Sequence, residues 1–143
     1  MKDIDNKAIS RIIDANVNRA KEGLRVCEEI VRFKFRDAGL SAQFKKVRHD
    51  IDISLRKFCP RICLIKDRDS LNDAGFSTDF RKEFKREGFK DIFFANAQRA
   101  KESIRVLEEF SKIKCSRSAV LFKKIRYNIY DLEKKAARIY KFR

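Results

Sequence analysis

Two stretches, ANVNRAKEGLRVCEE (15–29) and ANAQRAKESIRVLEE (95–109), place the same polar side chains at the same spacing twice. The first holds Asn16, Arg19, Glu22, Arg25 and Glu29; the second holds Asn96, Arg99, Glu102, Arg105 and Glu109. Arginine forks bind phosphate oxygens in a bidentate manner, and a neighbouring carboxylate fixes their direction. The phrase therefore suits an anionic ligand. The same i,i+3 and i,i+4 spacings also make salt-bridge ladders on a solvated helix, worth about 0.2–0.5 kcal/mol per pair.

The way the two copies differ separates these readings. Apolar positions drift: Val17 becomes Ala97, Leu24 becomes Ile104, Cys27 becomes Leu107 and Ile30 becomes Phe110, whereas the charged positions are unchanged. A solvated face is normally the tolerant one, since surface changes cost within about 0.5 kcal/mol. A charged face stricter than the core is expected to be covered, by the other half of the chain or by a ligand. Asn16 and Asn96 sit at the edge of the apolar arc, where a buried amide needs partners for its donor and its acceptor. An interhelical hydrogen bond and a polar ligand both satisfy that need. Shared descent from a recent duplication also leaves identities.

Two further groups carry chemistry. FKKVRHDI (44–51) recurs as FKKIRYNI (122–129), so Arg48 is matched by Arg126, while the lone histidine, His49, is matched by Tyr127. KDRDSLNDAG (66–75) clusters Asp67, Arg68, Asp69, Asn72 and Asp73. Carboxylates in such a loop hold magnesium against phosphate oxygens or serve as turn formers. The chain contains no G-x-x-x-x-G-K-[ST], G-x-G-x-x-G, G-x-S-x-G or calcium-loop spacing, so any phosphate must be held by side chains on helices. The cysteines Cys27, Cys59, Cys63 and Cys115 do not form a zinc pattern, and they read as reduced structural residues.

These groups need helices to position them. One proline, four glycines and 43% hydrophobic residues in 143 point to a helical fold. The periodicity predicts helices over 6–35, 41–57, 89–113 and 118–140. In the first, Ile9, Ile13, Val17, Ala20, Leu24, Cys27 and Val31 share an apolar arc; in the second, Phe44, Val47, Ile51 and Leu55 have core spacing. Gly39 reads as a C-terminal cap and Ser41 as an N-cap. Residues 59–78 read as a connecting loop, with Ser77 or Thr78 capping a short helix that ends near Gly88. Ten of the sixteen positions in 15–30 are identical in 95–110. The expected fold is thus all-α, a bundle of two pseudo-symmetric helical hairpins (about 8–58 and 88–140) within one domain spanning 1–143.

Thirty-six basic residues against 21 acidic ones give a net charge of +15, which implies anionic partners. Every apolar run is interrupted by charge, which argues against a membrane span, and MKDIDNKAIS lacks an apolar signal region. A cytoplasmic location is expected.

RIIDANVNRAKEGLRVCEEIVRF, KKVRHDI, RDSLNDAG, ANAQRAKESIRVLEEF and KKIRYNIYDLEK, in that order, resemble a helical domain fused in front of thiamine phosphate synthase in some bacteria and also found alone. That family is an alternative hydroxymethylpyrimidine phosphate kinase of thiamine biosynthesis. One departure is DAG (73–75) where the family usually reads D-V-G. The resemblance implies transfer of the γ-phosphoryl group of ATP to hydroxymethylpyrimidine phosphate, with magnesium, by a chain too short to include the (β/α)8 synthase. On matched positions, Arg25, Arg105 and Asp69 are the catalytic candidates. Arg19, Arg48, Arg68, Arg99 and Arg126 are phosphate-binding candidates, and Asn16, Asn96 and His49 are readers of the pyrimidine. Asp69 and Asp73 are the magnesium candidates, with Glu22 and Glu102 as alternates or as orienters of the arginines. Thiamine phosphate synthase is a possible partner and a homodimer a possible assembly. The rival readings are a basic nucleic-acid-binding module and a non-catalytic partner domain of the synthase.

Overall fold

The computed structural model describes residues 2–56, 61–76 and 85–142. Five α-helices run as α1 (Lys2–Glu29), α2 (Ala38–Arg56), α3 (Arg61–Ile65), α4 (Phe89–Lys114) and α5 (Ser116–Tyr140). No strand occurs among the described residues. The expected all-α bundle of two hairpins is what forms. α1 folds back into α2 and α4 into α5, and α1 against α4 is the most extensive contact. α2 packs on α5 on the far side, and α3 leans on α1.

The core follows the predicted arc. Ile13, Val17, Ala20, Leu24, Cys27 and Val31 of α1 and its extension are buried, as are Phe44, Val47, Ile51 and Leu55 of α2. Phe44, Phe93 and Phe122 are its largest fully buried side chains, and Phe44 meets Phe93 edge-on at 6.1 Å. Burial pushes the Cys27 thiol up to about 12, and Cys27, Cys63 and Cys115 are free. Cys27 is thus the inert, reduced core residue expected, while Cys59 lies outside the described residues. At Gly23 the helices nearly touch: a Cβ there would stand 2.7 Å from the Asn96 carbonyl oxygen. Only a residue without a side chain lets α1 approach the α4 backbone this closely.

The boundaries differ from expectation in two places. α1 ends at Glu29 and passes into a single π-helical turn, Ile30–Lys34. α2 then starts at Ala38, not Ser41, because Asp37 is its cap: the Leu40 amide donates to the Asp37 carboxylate at 2.9 Å. The left-handed residue that closes the preceding helix is Arg36 (φ 54°), not Gly39. This turn is held by the C-terminus. The Tyr140 hydroxyl donates to Asp37 at 2.7 Å, and its ring stacks on Phe35 at 3.7 Å between centroids. The connecting region also holds α3, whose Leu64 plugs the core. The helix expected after Ser77 falls largely on residues outside those described, and 85–87 are not helical.

Candidate functional site

The polar surface is organised by two buried carboxylates. Glu28 and Glu108 are 3% and 4% exposed. Arg48 of α2 reaches Glu28 with Nε at 2.9 Å and a terminal nitrogen at 3.2 Å. Arg126 of α5 reaches Glu108 through the same two nitrogens, both at 3.2 Å. Each clasp is extended by an arginine of the repeated phrase: Arg25 bridges to Glu28 and Glu29, and Arg105 to Glu108 and Glu109. A buried carboxylate is tolerable only when paired in this way. Of the charged residues of the repeats, only Glu28 and Glu108 are buried, covered by the second helix of each hairpin; Arg19, Glu22, Arg25 and their counterparts stay exposed, against the expectation of a covered charged face.

The matched residues do not converge on one shared site. Arg25 lines a cleft of about 450 Å³ with Glu28, Arg32, Arg36 and Lys45. Arg105 lines another of about 380 Å³ with Lys101, Glu102, Arg126 and Tyr130. Lys21 is pinned to Asp52 and Lys101 to Glu133, both at 2.9 Å. Arg19, Glu22, Arg99, Glu102 and His49 are exposed. Neither Asn16 nor Asn96 makes the interhelical hydrogen bond among the described residues. Each turns its amide donor onto its own helix, Asn16 to the Ile12 carbonyl and Asn96 to that of Ile92, both at 2.8 Å.

A wide cleft lies where the connecting loop meets α1. Arg11, Asp14, Asn16, Asn18 and Arg19 form its helical wall, and Arg68, Asp69, Asn72 and Asp73 form the other, enclosing about 630 Å³. Five of the sequence candidates, Asn16, Arg19, Arg68, Asp69 and Asp73, thus come together here. The fastener is Asp14, 6% exposed. Arg68 donates to its two carboxylate oxygens, each at 2.7 Å, and this raises the Arg68 pKa above its ordinary value. Arg68 therefore locks the loop to α1 with one edge of its guanidinium.

The acidic loop residues serve the turn. The Asn72 amide donates to Asp69 at 3.0 and 3.1 Å, and the Gly75 amide donates to Asp73 at 2.8 Å. No group of three His, Cys, Asp or Glu converges on a point able to hold a metal ion among the described residues. Magnesium, however, is usually held by only one or two carboxylates together with substrate phosphates. Asp69 and Asp73 are exposed on the cleft wall and fit that lesser role.

Residues 11–135 match the model of the ThiD2 family. The chain belongs to the ThiD2 family. It is 36% identical over 141 residues to a thiamine-phosphate synthase of Rhodopirellula baltica, covering 96% of this chain and 37% of that protein. Similar proteins named thiamine-phosphate synthase occur in Nostoc punctiforme (36% over 127 residues, 89% and 35% covered) and Synechocystis (35% over 132 residues, 88% and 35%). The chain spans about a third of the length of these relatives. No solved structure matches it. These relatives tie this ThiD2 chain to thiamine biosynthesis. No helix among the described residues is long and apolar enough to cross a membrane.

In this ThiD2 chain three structural carboxylates lay outside the candidate set: Glu28, Glu108 and Asp14. A signal existed for the first two. At about 100° per residue, Glu28 falls only about 20° beyond Val17 on the apolar arc. It is repeated as Glu108 beside the paired Glu29 and Glu109. Asp14 has no repeat signal, because its counterpart at 94 is Phe94.

Proposed function

We propose that the chain is an ATP-dependent hydroxymethylpyrimidine phosphate kinase acting in thiamine biosynthesis. The γ-phosphoryl group of ATP passes to the phosphate of 4-amino-5-hydroxymethyl-2-methylpyrimidine phosphate, yielding the pyrimidine diphosphate and ADP. The observation that carries the reading is the loop–α1 cleft. It gathers three arginines (Arg11, Arg19 and Arg68), the Asn16 amide and two exposed carboxylates at one concavity.

The chemistry asks little of a general base, since the acceptor is an already anionic phosphate oxygen. The barrier is repulsion between two charged substrates, and positioning with charge neutralisation is most of what phosphoryl transfer needs. Arg11 and Arg19 supply cationic forks at the cleft wall, and the Arg68–Asp14 pair sets the width of the mouth. Asp69 and Asp73 would hold magnesium, which supplies Lewis-acid neutralisation of the transferring phosphoryl group. Asn16 presents its amide to the aminopyrimidine.

Purified protein with ATP, magnesium and the pyrimidine monophosphate, coupled to ADP detection, tests the reading. Pyrimidine-dependent ADP release is expected, reduced at least tenfold by Arg68→Gln. No pyrimidine-dependent ADP would sink it. The relatives' name and the one-third coverage favour a second reading, a partner domain of thiamine-phosphate synthase. That reading predicts binding to the synthase without ADP release.

A further inference from the structure

The elbow between α1 and α2 holds cationic side chains for which the kinase reading has no use. Arg25, Arg32, Arg36 and Lys45 line the 450 Å³ cleft there, with Glu28 as its sole acidic wall residue. Glu28 is already clasped by Arg48 and bridged by Arg25. Arg32 lies over the ring of its neighbour Phe33, at 4.9 Å, and has no carboxylate partner among the described residues. Arg36 and Lys45 have no carboxylate partner among the described residues. The elbow is therefore several positive charges in excess at one concavity.

The backbone places these charges there by unusual means. The π-helical turn Ile30–Lys34 widens the end of α1, and Arg36 sits in the left-handed region at φ 54°. A bulky side chain in that region is uncommon and must be held by its surroundings. The hold is visible: the Asp37 amide donates to the Val31 carbonyl at 3.1 Å, and Tyr140 fastens Asp37 from the other side. Ser41, on the first turn of α2, adds a hydroxyl to the lining. In the cleft lined by Arg105 and Arg126 of the second hairpin, the arginines are spent on Glu108 and Glu109, and Lys101 on Glu133. The elbow, by contrast, gathers three cations without a carboxylate partner among the described residues, Arg32, Arg36 and Lys45, at one concavity.

We infer that the α1–α2 elbow is a second anion site that takes a diphosphate group through Arg32, Arg36, Lys45 and Ser41, separate from the loop–α1 cleft. Two adjacent phosphates carry the charge and the spread of acceptors that several converging cations match better than one phosphate does. The group can come from free pyrophosphate or from the phosphate chain of a nucleotide.

Isothermal titration of the full chain with inorganic pyrophosphate, orthophosphate and ATP, without magnesium or pyrimidine, tests this. Pyrophosphate is expected to bind at least tenfold more tightly than orthophosphate. The double variant Arg36→Asn/Lys45→Gln is expected to lose at least tenfold in pyrophosphate affinity. Lys123→Gln/Lys124→Gln, which removes an exposed basic pair on α5, is expected to bind as the unmodified chain does. Asparagine tolerates the left-handed backbone, and a circular dichroism melt of the double variant verifies that it is folded. Pyrophosphate must respond to the double variant, and whether the variant also removes a binding event from the ATP titration assigns the source of the group. Equal binding of orthophosphate and pyrophosphate overturns the site. So does an unchanged double variant, or an equal loss in the α5 control. Because neither acceptor nor turnover is involved, failure here leaves the kinase reading standing, and failure of the kinase assay leaves this site standing.

Discussion

The two hairpins carry the same clasp and different surroundings. Glu28–Arg48 and Glu108–Arg126 are the same buried pair built twice. Around them the copies part. Gly23 becomes Ser103, Asp52 becomes Tyr130, and the loop docks through Asp14 where the second copy has Phe94. What was kept twice is architecture, because a buried carboxylate deprived of its arginine is costly wherever it stands. What exists once, the docked loop and the unpaired elbow cations, is where function is to be sought. Within the charged phrase, burial accounts for the strictness of Glu28 and Glu108, while Arg19, Glu22, Arg25 and their counterparts lie exposed.

The clasp predicts the largest effects, and they should be equal in the two halves. Glu28→Ala leaves Arg48 unpaired in a largely enclosed place, and Glu108→Ala does the same to Arg126. Removing one partner of such a pair costs about 3–5 kcal/mol. Urea unfolding of both variants should show losses of that order, with Arg25→Gln well below them because Arg25 is half exposed. A loss under about 1 kcal/mol for either glutamate would break the equivalence.

Gly23 and Ser103 test where the equivalence ends. The Asn96 carbonyl oxygen is backbone and cannot step aside for a Cβ 2.7 Å away. Gly23→Ala should therefore cost about 2 kcal/mol as overpacking, while Ser103→Ala, where a side chain is already accommodated, should cost under about 1 kcal/mol. Thermal or urea denaturation of the pair measures the contrast. Equal costs would mean that α1 and α4 are free to separate.

The same positions show how much could be read beforehand. Helical periodicity exposed the four long helices and most of the core, because each helix buries one continuous stripe. The loop contact was hidden: Asp14 and Arg68 are 54 residues apart, and no periodicity links them. The cap of α2 was misplaced by four residues. Ser41 and Gly39 have strong local preferences, yet Asp37 was chosen by a tertiary contact with Tyr140, 103 residues away. The acidic loop looked like either a metal site or a turn, and its hydrogen bonds show that it is at least a turn. Asn16 and Asn96, alike in sequence and in their back-bonds, differ in that Asn16 faces the docked loop.

That last difference is a kinetic prediction. If the loop–α1 cleft is the active site, Asn16→Ala should lower kcat/KM for the pyrimidine phosphate about tenfold, or about 1.4 kcal/mol. Asn96→Ala should stay within about twofold, since it removes the same back-bond without touching the cleft. Both variants lose one intrahelical hydrogen bond, so stability changes cancel in the comparison. Equal kinetic losses would point to two working sites or a shared one.

The smallest effects concern the caps. In the register that pairs Arg48 with Arg126, Asp37 is matched by Cys115, which stands before α5 in extended backbone (φ −158°) without a side-chain cap bond. The Leu40 amide, then the Tyr140 hydroxyl, holds the Asp37 carboxyl below its ordinary value. A depressed carboxylate contributes stability that is complete above its unfolded value, about 3.9. The contribution is lost as pH falls through the folded value. The gap between the unmodified chain and Asp37→Asn should therefore be constant near neutrality, under about 1 kcal/mol because asparagine still caps. It should close on acidification below about pH 4. Cys115→Asp should place the missing acceptor at the start of α5 and raise stability by about 0.5–1 kcal/mol. It should also acquire the same acid-side loss that Asp37 has. A gain without that pH dependence would mean that the aspartate acts by replacing the thiol, and that the second hairpin has no use for a charged cap.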